Sequence, residues 1–226
     1  MSYPLQKNSR TTDFILVLLI VFLSFILWNT FLVFPIKLFV VFLHESSHAI
    51  TILITGGTIS EISLGFDLGG KITAEGGNDI LIASSGYLGS LFFGLLIYLV
   101  AEMQKPRRYI YLSLALLFLI IIFISTPTLE FILIGLFTIG LLVVFGFFVR
   151  IRLVKIIVKA ISLVSAIYVL IDVKEDMLSQ EFASDAQIMS GLIGIDQLIV
   201  SLIWLVVSVV LIGIILKLSY KSKVKV

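Results

Sequence analysis

Long apolar runs, separated by short polar connections, cover most of the 226-residue chain. Windows of about 20 apolar residues, the length that crosses a bilayer as a helix, recur about seven times. We therefore predict an all-α polytopic membrane protein with about seven transmembrane helices in a single membrane domain, residues 1–226. The predicted spans are 14–34, 36–54, 80–101, 109–125, 129–149, 153–172 and 198–218.

Two of the connections are longer and carry patterns of their own. Residues 56–79 are rich in glycine, and apolar and polar positions alternate on both sides of a turn at 67–70. This pattern predicts a small β-hairpin after the second helix. Residues 173–197 form an acidic polar loop, in which the Ser-Asp-Ala at 184–186 is typical of the start of a short helix.

The composition agrees with this class and excludes several kinds of site. Hydrophobic residues make up 60% of the chain and charged residues 13%, with a mean hydropathy of +1.20. Cysteine is absent, which excludes disulfides, thiolate zinc sites and cysteine nucleophiles. The basic residues are scattered over turns that flank the spans, without aromatic stacking partners, so we expect no nucleic-acid partner.

The charges predict an orientation in the membrane. Seven alternating spans place the N-terminus, the hairpin and the acidic loop on one side, here side A. The connections at 35–37, 102–108 and 150–159 and the C-terminal tail lie on the opposite side B, with 12 of the 16 Lys and Arg residues. The positive-inside rule then makes side B cytoplasmic. We expect a multi-pass protein of the cell membrane.

The two histidines of the chain, His44 and His48, lie four residues apart with Glu45 directly after the first, inside the apolar segment 36–54. On a helix this spacing puts both imidazoles on one face, where they can reach a single metal ion. Ionisable groups at membrane depth are costly and need a partner or a function. A zinc ion held by two imidazoles and a third protein ligand, with water in the fourth position, provides one.

Glu45 is the candidate general base of such a site. It can take a proton from the zinc-activated water and pass it to a leaving amine. One alternative is a polar cluster that only joins helices by hydrogen bonds. A transporter with an ion site is another, but it would need broken helices and polar residues on several spans, which the sequence lacks.

The third ligand should be a carboxylate or nitrogen near side A, where the second helix ends. His48 lies six residues, or about 9 Å, before that end. Asp172, at the side-A end of the sixth span, fits best, although an aspartate there could also cap its helix. Asp185 and Asp176 in the acidic loop are the next candidates, and Glu130 begins the fifth span on the same side.

Small residues in the third span predict a close approach to its neighbours. Serines and glycines recur at three- and four-residue spacing, which is typical of tightly packed membrane helices. Close packing against the second helix would help to bury the metal site. The residues are Ser85, Gly86, Gly89, Ser90 and Gly94.

The His-Glu-Ser-Ser-His motif at 44–48, the glycine pair at 56–57, the hairpin and the Gly-Tyr-Leu-Gly at 86–89 together resemble the site-2 protease superfamily. The resemblance is closest to a compact branch without PDZ or CBS domains, and it extends to Asp172 by position. It implies an intramembrane zinc metalloendopeptidase acting on transmembrane or membrane-associated protein substrates within the lipid bilayer. The opposing hypothesis is a catalytically inactive relative that binds membrane segments or assembles with a partner.

Overall fold

The computed structural model describes residues 5–101, 107–148, 151–178 and 184–221. These residues are mostly helical and include one two-stranded antiparallel sheet directly after the second helix, which confirms the helical class and the hairpin. The elements are α1 (Leu5–Ile26), α2 (Phe34–Ile54), β1 (Thr58–Leu64), β2 (Gly70–Glu75), α3 (Asp79–Val100), α4 (Arg107–Ile124), α5 (Leu129–Phe147), α6 (Ile151–Leu178), α7 (Asp185–Ile193) and α8 (Gln197–Lys221).

Among the described helices, four are long and apolar enough to cross a membrane. They are α2, α3, α5 and the Gln197–Ile214 part of α8. Two further apolar stretches, Thr11–Ile26 in α1 and Arg108–Ile124 in α4, are shorter. The chain is therefore an integral membrane protein by length and composition, and the four candidate spans do not confirm the predicted count of about seven.

Two antiparallel helices, α2 and α3, form the centre of the fold. One apolar cluster joins α2 to α4, α5 and the hairpin, and a second joins α3 to α1, α6, α7 and α8. The small residues of α3 permit the close approach that the sequence predicts. A Cβ added at Gly89 would overlap the side chain of Ser47, and one at Gly94 would lie 2.9 Å from the carbonyl oxygen of Ser162.

The first helix runs in the same direction as α6, which corrects one expectation. Arg152, in the first turn of α6, donates to Asp13 of α1 at 2.9 Å, and the Trp28 ring, just beyond the end of α1, lies 5.6 Å from the ring of Tyr168, further along α6. The start of α1 therefore lies at side B, not at side A. With Lys7 and Arg10 the side-B total rises from 12 to 14 of the 16 basic residues.

This difference arises inside the first apolar run, predicted as one span over 14–34. Helix α1 ends at Ile26, and successive turns fill residues 27–33 before α2 begins. Short-range hydrogen bonds hold these turns, including one from Thr30 Oγ1 to the carbonyl oxygen of Leu27 at 2.7 Å. The run remains apolar through the turn, so hydropathy alone does not reveal the break.

The hairpin is fastened over the side-A end of α2. Strand β1 pairs with β2 on one edge and with the α4–α5 connection on the other, where Thr128 N donates to Ile62 O at 3.0 Å and Ile62 N donates to Thr126 O at 3.3 Å. Gly56 and Gly76, at the base of the hairpin, have positive φ of 86° and 73°, a conformation that favours glycine. These contacts hold the hairpin beside the histidine motif.

Candidate metal centre

Helix α2 carries three adjacent polar side chains at its side-A end. His44 and His48 lie on one face, as their spacing predicts, with their Nε2 atoms 3.1 Å apart. Glu45 is only 6% exposed, although it is a carboxylate within an apolar helix. Such burial of ionisable groups is costly, so the cluster needs a compensating partner.

Asp185 of α7 completes a triangle with the two histidines. Its Oδ2 lies 3.1 Å from His44 Nε2 and 3.1 Å from His48 Nε2. Ser184 caps α7 by accepting a hydrogen bond from Gln187 N at 3.2 Å, which confirms the predicted helix start and sets the position of Asp185. The three side chains are at most 15% exposed.

The hydrogen bonding of His48 shows which ring nitrogen faces the triangle. His48 Nδ1 lies 2.8 Å from the carbonyl oxygen of Ile82 on α3, and because a carbonyl can only accept, Nδ1 carries the proton. In the neutral ring Nε2 then carries no proton, and its lone pair is directed at His44 and Asp185. Ser85 Oγ, which donates to the same carbonyl at 2.7 Å, lies 3.2 Å from Nδ1. Such support fixes the tautomer of metal-binding histidines.

The triangle fits a tetrahedral metal ion. Zinc bound at about 2.0–2.1 Å holds neighbouring ligand atoms roughly 3.3 Å apart, close to the 3.1 Å separations observed here. The donor set of two imidazoles and one carboxylate is one that zinc accepts, and it leaves a fourth position open. His44, His48 and Asp185 are therefore a group that could hold a metal ion.

The charge balance at Asp185 reflects its two imidazole neighbours. Burial by itself would raise the pKa of this carboxyl, but His48 and His44, when protonated, hold the pKa of Asp185 below its ordinary value through their charge and hydrogen bonds. The carboxylate form of Asp185 is therefore favoured when positive charge lies beside it. A negative charge facing two imidazole nitrogens is the electrostatic setting that a divalent cation prefers.

The absence of a side chain at Gly86 on α3 leaves space for the donor atoms of the triangle. A Cβ added at Gly86 would overlap both His44 Nε2 and Asp185 Oδ2. Only a glycine lets α3 approach the donor atoms this closely. The sequence predicts Gly86 as a packing residue, and the structure places it against the proposed ligands as well.

Of the other predicted ligands, Glu130 is the one whose side chain the structure describes. Helix α6 continues to Leu178, so Asp172 lies within the helix and not at its end. The side chains of Asp172 and Asp176 lie outside the described ones, so Asp172 as a metal ligand stays a prediction. Glu130 is exposed in the first turn of α5, and its carboxylate lies beside Gly65 of the hairpin.

The hairpin covers Glu45 directly. A Cβ added at Gly70, the first residue of β2, would overlap the carboxylate of Glu45. The backbone of β2 therefore lies against the candidate base, an arrangement that sequence reasoning missed. The glycine at position 70 is the one signal in the sequence, and it does not indicate that Glu45 is the side chain that it faces.

An aromatic contact supports His44 from α3. The ring of Tyr87 meets the imidazole edge-on, with centroids 5.5 Å apart and planes at 81°. Tyr87 is nearly fully buried and belongs to the apolar cluster around α3. The sequence marks Tyr87 only through the Gly-Tyr-Leu-Gly at 86–89.

We predict that Gly86→Ala removes the metal ion, because the new methyl group would occupy the space of two donor atoms. Bound zinc in detergent-purified protein, measured by elemental analysis, should fall from about one ion per chain to well below half. Gly89→Ala controls for packing, since its Cβ would overlap Ser47 and no ligand, and Gly140→Ala has open space. Full zinc in Gly86→Ala would contradict this account of the site.

Comparison with known proteins places the chain in a family. Residues 16–215, nearly the whole chain, match the family model described as Peptidase M50B-like. No curated protein and no solved structure matches the chain. The matched residues include both histidines, Glu45 and Asp185, so the motif and the candidate third ligand lie within the family match. The chain belongs to the Peptidase M50B-like family, which is the site-2 protease family.

Proposed function

We propose that this protein is an intramembrane zinc metalloendopeptidase of the cell membrane that hydrolyses peptide bonds in transmembrane or membrane-associated protein substrates. The observation that carries the proposal is the convergence of His44 Nε2, His48 Nε2 and Asp185 Oδ2 on one point, with mutual distances of 3.1 Å. The membership of a peptidase family supplies the reaction class. Zinc, when bound, acidifies water and polarises a carbonyl.

The residues of this chain have separate tasks in the proposed reaction. His44 and His48 are the imidazole ligands, and Asp185 is the third ligand. Glu45 accepts the proton of the attacking water and delivers it to the nitrogen of the scissile bond. The burial of Glu45 and its neighbours excludes bulk water from this transfer.

The proposed site lies at side A. Most basic residues lie at side B, so the positive-inside rule predicts that side B is cytoplasmic. The proposed site would then face the opposite, non-cytoplasmic side. The hairpin and α7 cover the site from this direction. A substrate segment would therefore reach zinc from the side-A half of the bilayer.

Removal of ligands tests the metal site and identifies the third ligand. The parent should contain about one zinc per chain, and His44→Ala and Asp185→Asn should lose most of it. Asp172→Asn is the matched comparison and should retain zinc. Loss of zinc in Asp172→Asn with retention in Asp185→Asn would instead assign the third ligand to Asp172. A parent without zinc, even after reloading, would favour the non-enzymatic binding protein.

Substitution of the base tests the chemistry separately from the metal. Glu45→Gln should keep zinc and lower peptide cleavage by about 10²–10⁴-fold, because the amide cannot accept the proton. The assay uses a library of fluorogenic single-span peptides in detergent micelles. Glu130→Gln, an exposed glutamate outside the triangle, is the control. Unchanged cleavage by Glu45→Gln would sink this mechanism.

Substitution at Gly70 tests the contact between the hairpin and the base. Gly70→Ala should lower cleavage at least tenfold while zinc is retained, because the methyl group would displace the Glu45 carboxylate. The adjacent Gly69→Ala is a matched control, since its Cβ comes no closer than 3.3 Å to Asp67 Oδ1. Equal activity of both variants would show that Gly70 does not constrain Glu45.

A further inference from the structure

Helix α8 touches the rest of the protein along a single face. Its buried residues follow the helical spacing of one stripe, while the apolar side chains around the remaining circumference are exposed. Gln197, at the start of the helix, is half-buried on the same stripe. The buried residues of the stripe are Val200, Ser201, Trp204, Ser208 and Ile212.

At the N-terminal end of α8, the stripe contacts the N-cap residue of α7, which directly precedes Asp185. Gln197 Nε2 donates to Ser184 Oγ at 3.2 Å, and Ser184 Oγ in turn accepts from Gln187 N. Asp185 follows Ser184 directly, so the position of its carboxylate depends on this cap. A helix of nine residues is marginal on its own and needs such contacts to stay ordered.

Two turns further along the stripe, Trp204 reaches the other side of the metal centre. Its ring lies 4.8 Å from the ring of Tyr87, at an interplanar angle of 37°. Tyr87 in turn meets His44 edge-on at 5.5 Å. The imidazole, the phenol ring and the indole therefore form a continuous row, and the indole end is 6% exposed.

We propose that α8 positions the metal ligands, with Gln197 acting on Asp185 through Ser184 and Trp204 acting on His44 through Tyr87. This inference rests on the proposed function, in which both residues bind zinc. Neither Gln197 nor Trp204 touches the metal. They restrict the orientation of the side chains that do, and residues in this role typically change metal affinity by about 10–100-fold.

The test is zinc affinity, measured by competition with a chromophoric chelator on the full-length protein in detergent. Gln197→Met keeps the length of the side chain but removes the donor, and Trp204→Leu keeps apolar volume but removes the ring. Each should raise the zinc dissociation constant about tenfold. Trp204→Phe, which keeps a ring beside Tyr87, should recover most of the affinity. Ser208→Ala, one turn further along the same buried face, should bind zinc like the parent.

Two further readouts separate positioning from a loss of folding. The absorption spectrum of the cobalt-substituted protein should change in Gln197→Met and Trp204→Leu, because ligand geometry alters the metal's d–d bands, and should not change in Ser208→Ala. The unfolding temperature of the metal-free variants reports general stability. If Trp204→Leu does not fold, the zinc affinity and cobalt spectrum of Gln197→Met test the positioning role alone.

Parent-like affinity and cobalt spectra in both variants would overturn the positioning role and leave the zinc site intact. A parent that binds neither zinc nor cobalt would overturn the proposed function itself, and the positioning role with it. Weaker zinc binding with an altered cobalt spectrum, at an unfolding temperature equal to that of Ser208→Ala, supports the inference.

Discussion

The structure depends on the repulsion that three electron-rich atoms would have without a cation between them. In the unprotonated state His48 Nε2 presents a lone pair and Asp185 a carboxylate oxygen, and His44 Nε2 lies 3.1 Å from both. At the buried end of an apolar bundle, little solvent is available to offset that repulsion. Positive charge between the three atoms, supplied by protonated imidazoles or by the proposed divalent cation, would convert it into attraction.

The surrounding elements are arranged to make this meeting possible. Helix α2 supplies two donors at the natural spacing of one helical turn, and α7 supplies the third from a distant part of the sequence. Helix α3 lies between them and approaches closely because Gly86 has no side chain. Its Ile82 carbonyl also fixes the proton on His48. The backbone of α3 is thus as much a part of the centre as the donor side chains.

Local patterns were enough to predict most of the fold and the motif half of the site. The apolar runs located the helices, the glycine-rich alternation located the hairpin, and the four-residue spacing placed His44 and His48 on one face. The third ligand is harder to predict, because the chain returns to the two histidines through α7, and residue spacing does not describe that return. Asp172 stays a prediction, while the structure brings Asp185 beside both histidines. The break after Ile26 was missed because the apolar run continues through it.

The position of Gly70 has a kinetic consequence. Its backbone lies directly against the Glu45 carboxylate, the group that would have to approach the scissile bond in the proposed reaction. In the proposed reaction the hairpin and a substrate would therefore compete for one volume, and each cycle would begin with a displacement of the hairpin. Because β1 is also bonded to the α4–α5 connection, this displacement breaks backbone hydrogen bonds. Under the proposed function, the frequency of hairpin opening would then set a ceiling on turnover that faster chemistry could not raise.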